Sequence, residues 1–207
     1  MEYNINFNNQ QNITVNSMQL QQLAKDYLYG SPVQNRISEY LLLEIFLYNV
    51  ALDIDPSEIF TAISNLENGI ISGVKPATQF KNLPLMGLWH QHFFSSKFII
   101  NNIRLGLGKN GTGRLVNEIF TRGGSPIVTR EMINELSHRL VHDSLESRIS
   151  DNKITGEWIV FIKHSNVNYY LSLGLHQEID QIIYDKIIYN CKRDFPDIEE
   201  WISNSRI

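Results

Sequence analysis

One cysteine, Cys191, stands in 207 residues. That excludes an intrachain disulfide and a cysteine-built zinc cage, and it points to a reducing, cytoplasmic setting. Basic residues are not in excess either: 18 Lys and Arg face 22 Asp and Glu, for a formal net charge of -4. A globally basic nucleic-acid binder is excluded, although a local basic groove is not. No apolar run reaches the ~18 residues that a membrane-crossing helix needs. The opening "MEYNINFNNQQNITVN" lacks the basic start and apolar stretch of a secretion signal. What is present is a globular balance, with 43% hydrophobic and 19% charged residues, enough to bury a core.

The alternation of Tyr3, Ile5 and Phe7 with asparagines reads as a short strand or a loosely held arm. Leu20, Leu23, Ala24, Tyr27 and Leu28 then recur at helical spacing, and Gly30 and Pro32 mark the stop. "NRISEYLLLEIFLYNVALDI" is apolar on most sides, as a central helix is. Asp55-Pro56 opens a third helix carrying Ile59, Phe60, Ile63 and Leu66 inward.

Gly69, Gly73, Pro76, Pro84 and Gly87 break residues 69–96 into turns. A short helix follows from Ser95 or Ser96, then the turn "GKNGTG", which lacks the Walker spacing of a phosphate loop. "RLVNEIF" is a helical fragment. Thr129 caps a long polar helix with Met132, Ile133, Leu136, Leu140 and Leu145 inward. The runs "EWIVFIKH" and "NYYLSLGLH" around "SNV" read as a β-hairpin. With that loop, His164 lies opposite Asn168 and Trp158 opposite Gly174. Residues 159, 161, 171, 173 and 175 then make a core face, against a mixed face of 158, 160, 162, 164, 170, 172 and 176. A last helix carries Ile179, Ile182, Ile183, Ile187 and Cys191, and Pro196 ends it. The expected fold is α+β: a helical N-terminal half, a C-terminal antiparallel β-hairpin or small sheet, and a closing helix. Residues 1–207 make one domain, with 1–75 as a helical subdomain and 76–207 as a β-containing one in the alternative division.

The chemistry-bearing residues are chiefly histidines. In an extended segment His90 and His92 share a face, so both imidazoles point one way. Two such rings can divide acid and base roles or start a metal site. His138 and His142, four apart on a polar helix, read as a solvated face. His164 and His176 stand roughly 25 Å apart along the second strand, so they belong to different ends of it. His176 falls at the start of the last helix, where exposed N–H groups disfavour a charged ring.

A helical part followed by a compact sheet bearing His90, His92, Lys163, His164, Tyr169, Tyr170 and His176 resembles bacterial ribonuclease toxins of the barnase/EndoU/RelE-like group. The likeness spans at most residues 83–190 and rests on residue types rather than on a diagnostic motif. It implies a metal-independent nuclease acting on RNA, with no cofactor. His90 or His92 with His176 would serve as base and acid, Lys163 or Arg104 would supply positive charge, and Tyr169 or Tyr170 would stack a base or donate a proton. The candidate catalytic set is therefore His90, His92, His176, Lys163 and Tyr170. Trp89, Arg104, His164 and Tyr169 are the candidate substrate contacts. Two alternatives stand beside it. One is a non-enzymatic protein-interaction or antitoxin-like module. The other is a metal site of His90, His92 and a third ligand, His176 or Glu178.

Overall fold

The computed structural model describes residues 1–7, 11–122, 128–151, 153 and 156–206. The chain is mixed α and β, and it forms two compact units. The first comprises Met1–Ile70, Pro76–Phe93 and Glu157–Ile207; the second comprises Ile71–Lys75 and Phe94–Gly156. This division differs from the expected 1–75 and 76–207. The N-terminal helices and the C-terminal hairpin share the first unit, and a helical segment stands between two neighbouring strands in the sequence.

In the first unit, β1 (Glu2–Phe7) and β2 (Gln11–Asn16) pair antiparallel, with Ile5 opposite Ile13 and Tyr3 opposite Val15. The N-terminus is thus a hairpin rather than an arm; residues 8–10 of it lie outside the described residues. It is tied down where the Tyr3 hydroxyl donates to Glu39 at 2.8 Å. Asn16 accepts from the Gln19 backbone N–H while the Gln19 side chain accepts from the Asn16 N–H. This capping box starts α1 (Ser17–Leu28).

Helices α2 (Glu39–Leu52) and α3 (Pro56–Glu67) follow, capped by Ser38 and Asp55. Leu41, Ile45, Ile59 and Ile63 are fully buried. Each such side chain contributes about 1.5–3 kcal/mol through removal of apolar surface from water.

A four-stranded antiparallel sheet has the order β3 (Thr78–Gln79), β4 (Trp89–His92), β5 (Trp158–His164), β6 (Val167–Gly174). The stretch 69–96, expected to be irregular, therefore supplies two of its strands. The β5–β6 turn is only Ser165 and Asn166, both at positive φ (50° and 62°), the geometry of a tight hairpin turn. His164 consequently pairs with Val167, not Asn168. A bulge between Val160 and Phe161 absorbs the difference, and Trp158 still pairs with Gly174. The bulge also changes which residues share a face. Leu171 joins Val160 and Ile162 in a core closed by Ile183, Ile187 and Cys191 of α8 (Asp180–Cys191) and Ile198 and Ile202 of α9 (Ile198–Asn204). Tyr170 pairs with Phe161, and its hydroxyl meets Glu67 at the end of α3.

The second unit holds α4 (Ile99–Leu107), α5 (Gly111–Thr121), α6 (Arg130–His138) and α7 (Ser144–Ser150). Ser95 accepts the Lys97 N–H ahead of α4, and Thr129 caps α6 as the sequence suggests. A π-helical turn, Arg139–Asp143, interrupts the long polar helix expected after Thr129. Ile133, expected inward, is half exposed, and His138 and His142 are exposed neighbours with ring centres 4.8 Å apart. Among the described residues no helix is long and apolar enough to cross a membrane.

Candidate functional site

Strand β4 does what alternation requires: His90 and His92 lie on one face, and Trp89 and Gln91 on the other. His92 pairs with Trp158 on β5, and Trp158 pairs with Gly174 on β6. The chain leaves β6 at Gly174 and turns through Leu175–Glu178. That turn brings His176 back over the same face.

An aromatic cluster results. The His92 and His176 rings stack, with centres 5.3 Å apart and planes 25° apart. His90 lies 5.7 Å from His92, and Trp158 lies 5.0 Å from His90 and 4.7 Å from His176. Phe80 backs His90 at 4.5 Å, and the Thr78 hydroxyl is 3.1 Å from His90 Nε2. His92 is buried at 4% exposure, whereas the His176 side chain is 44% exposed. The site thus has a covered floor and one ring open to solvent.

Glu157 fixes that open ring. Its Oε2 accepts the His176 backbone N–H at 2.7 Å and lies 3.2 Å from His176 Nδ1. A carboxylate on Nδ1 assigns the proton to that nitrogen and leaves Nε2 for chemistry. The sequence pattern puts His176 at the start of the last helix. That helix starts four residues later, at Asp180, so a carboxylate rather than a helix terminus governs this imidazole. Glu157 is not among the sequence candidates, although the register contains it: with Trp158 opposite Gly174, residue 157 falls beside the start of the turn that bears His176.

A second carboxylate holds the other end of the turn. Glu178 accepts the Leu175 N–H at 3.3 Å and pairs with Lys186 of α8 at 3.1 Å. Lys186 also reaches Glu44 of α2 at 3.0 Å. Glu44 is buried against the β6 edge, where it accepts from the Leu173 N–H at 2.6 Å and from the Ser172 hydroxyl at 2.8 Å. Burial pushes the Glu44 carboxyl up from its ordinary range, against the pull of Lys186 and these donors. Burial and then Glu44 push the phenols of Tyr40 and Tyr48 up as well.

Within the first unit, the remaining sequence candidates do not join the imidazoles. Lys163 is exposed on the opposite face, with its ammonium 3.8 Å from the centre of the Trp89 ring. That cation–π contact occupies both an expected cation, Lys163, and an expected substrate contact, Trp89. Tyr170 is fully buried; its hydroxyl donates to Glu67 at 2.7 Å, and burial with the Glu67 charge pushes its phenol up. It is a core residue, not a proton donor at the surface. His164 stacks on Trp201 at 4.3 Å, and Tyr169 packs on Trp201 and Phe195, at the turn end of the hairpin. Arg104 belongs to the second unit, exposed on α4 beside Asn101.

The gathered set is therefore His90, His92, His176, Glu157 and Trp158. Two imidazoles in contact, one of them backed by a carboxylate, can take a proton at one position and deliver one at another. Among the described residues no three His, Cys, Asp or Glu side chains are grouped so as to hold a metal ion. No family model, curated protein or solved structure matches the chain.

Proposed function

We propose that this chain is a metal-independent nuclease that cleaves RNA in the cytoplasm, with His176 as base and His92 as acid. The stacked His92–His176 pair, with Glu157 against Nδ1 of His176, carries the reading. Cleavage of RNA by its own 2′-hydroxyl needs a base for that proton and an acid for the leaving oxygen. His176 is the exposed member, and a carboxylate holds its Nδ1 edge, which suits the base. His92, stacked on it, is then the group left to serve as the acid. Incubation of the protein with a mixed-sequence RNA in EDTA tests the proposal. Cleavage that is lost in both His92→Ala and His176→Ala supports it; cleavage unchanged in either variant removes the assignment.

A second reading, a non-enzymatic protein-interaction or antitoxin-like module, is favoured by one observation. Lys163 and Tyr170, the cation and phenol a nuclease would use, are engaged elsewhere, on Trp89 and Glu67. A well-folded protein inert toward RNA would favour this reading.

A further inference from the structure

The indole of Trp158 lies in the middle of the imidazole cluster, yet its N–H is buried and has no hydrogen-bond partner among the described residues. A buried donor left unpaired costs about 1–3 kcal/mol, so native proteins seldom keep one without a use. The direction of this donor follows from its neighbours. A Cβ built on Gly174 would lie 3.3 Å from Cε3 of Trp158, so the benzo edge of the indole rests on β6. Nε1 is on the opposite edge of the indole from Cε3, away from Gly174, in a ring whose neighbours are His90 and His176. Gly174 is what permits this orientation. Any side chain there would meet Trp158, Val160 and Ile183 together.

We propose that the Trp158 indole N–H is the donor to a phosphoryl oxygen held in the imidazole site. The proposal rests on the nuclease reading for its ligand class, and it adds a residue to which that reading assigns no role. An indole is a donor only, so it selects an acceptor such as a phosphoryl oxygen and rejects a competing N–H or ammonium group. A fixed donor aimed at developing negative charge typically contributes about 10²–10³-fold to rate in sites of this kind. The N–H moves no proton in the reaction. It holds the non-bridging oxygen while His176 and His92 exchange protons with the attacking and leaving oxygens.

The test is a titration followed on the indole ¹⁵N–¹H resonances of the wild-type protein, with inorganic phosphate and then an uncleavable 2′-deoxy dinucleotide. Trp89→Phe and Trp201→Phe assign the Trp158 signal by elimination. Saturable downfield movement of that signal with both probes is expected. Trp158→Phe should then cleave RNA roughly 10²-fold more slowly with an unchanged melting temperature. A Trp158 signal that neither probe moves, with a cross-peak to a long-lived water, overturns the proposal, since the donor then serves a buried water only. RNA cleavage by Trp158→Phe at the wild-type rate overturns it too and leaves the nuclease reading standing. Movement with both probes in a protein that cleaves no RNA supports the phosphoryl donor and removes the nuclease reading. The wild-type titration is decisive whether or not Trp158→Phe folds.

Discussion

The imidazole rings of His92 and His176 stack with centres 5.3 Å apart, although one lies on β4 and the other on the turn after β6. If they share a proton-transfer reaction, His92→Ala and His176→Ala each lower RNA cleavage by about 10²–10⁴-fold. The double variant loses little more than either single one, because the two act as a unit. Glu157→Gln, which keeps shape but removes charge, gives an intermediate loss. Initial rates in EDTA, with melting curves to exclude misfolding, check all four proteins.

A second prediction concerns stability at the far end of the sheet. Arg36 and Glu67 form a largely buried ion pair at 2.6 Å, and Tyr170 and Asn168 donate to the same carboxylate. Burial works against the Glu67 charge, but the bonds from Arg36, Tyr170 and Asn168 outweigh it and hold the carboxyl below its usual range. A depressed carboxyl stabilises the fold above its unfolded value, about pH 4.3, and that contribution fades as pH falls through the folded value. Arg36→Ala, which strands the carboxylate, destabilises by about 3 kcal/mol at neutral pH. Urea midpoints measured from pH 7 down to pH 3 should show the gap between wild type and Arg36→Ala narrowing in acid.

How much of this was legible in the sequence depends on which interactions set each feature. Local ones were readable. The caps at Asp55 and Thr129 and the buried stripe Ile59, Phe60 and Ile63 follow from short-range rules. So does the shared face of His90 and His92. The hairpin was legible as a pair of strands, but one extra residue in β6 paired Tyr170 with Phe161 and put Leu171 with Val160 and Ile162, the reverse of the expected faces. Period-two reasoning cannot detect a bulge, and one residue of slip reverses a face. The partners of Lys163 and Tyr170 are non-local, Trp89 and Glu67, and no spacing rule reports them. Glu157 was hidden for a different reason. Its role depends on a turn returning over the sheet, which the helical spacing of Ile179, Ile182 and Ile183 disguised as an earlier helix start.

The hairpin turn offers a gain-of-stability prediction. Ser165 and Asn166 both occupy left-handed backbone, and serine has no favourable means of doing so. Combining Ser165→Asn with Asn166→Gly places the preferred Asn-Gly dipeptide at the turn and stabilises the protein by about 1 kcal/mol. Thermal unfolding should rise by a few degrees, with no change in RNA cleavage, since the turn lies at the His164 end of the strands.

Cys191 supplies a reactivity prediction. Its thiol is fully buried and bonded to the Leu171 carbonyl, and burial pushes it up to about 12. Only the thiolate reacts with disulfide reagents. A chromogenic disulfide should therefore label the native protein slowly and the urea-unfolded protein within the mixing time, in a stoichiometry of one.

The most direct measurement is the fate of a single-stranded RNA and a DNA of the same sequence, each incubated in EDTA with the wild-type protein and resolved with its end groups. Proton transfer by His176 and His92 through the 2′-hydroxyl requires that only the RNA be cut, leaving a 2′,3′-cyclic phosphate. RNA that stays intact, or DNA cut equally well, contradicts the assignment of this imidazole pair as an RNA-cleaving site.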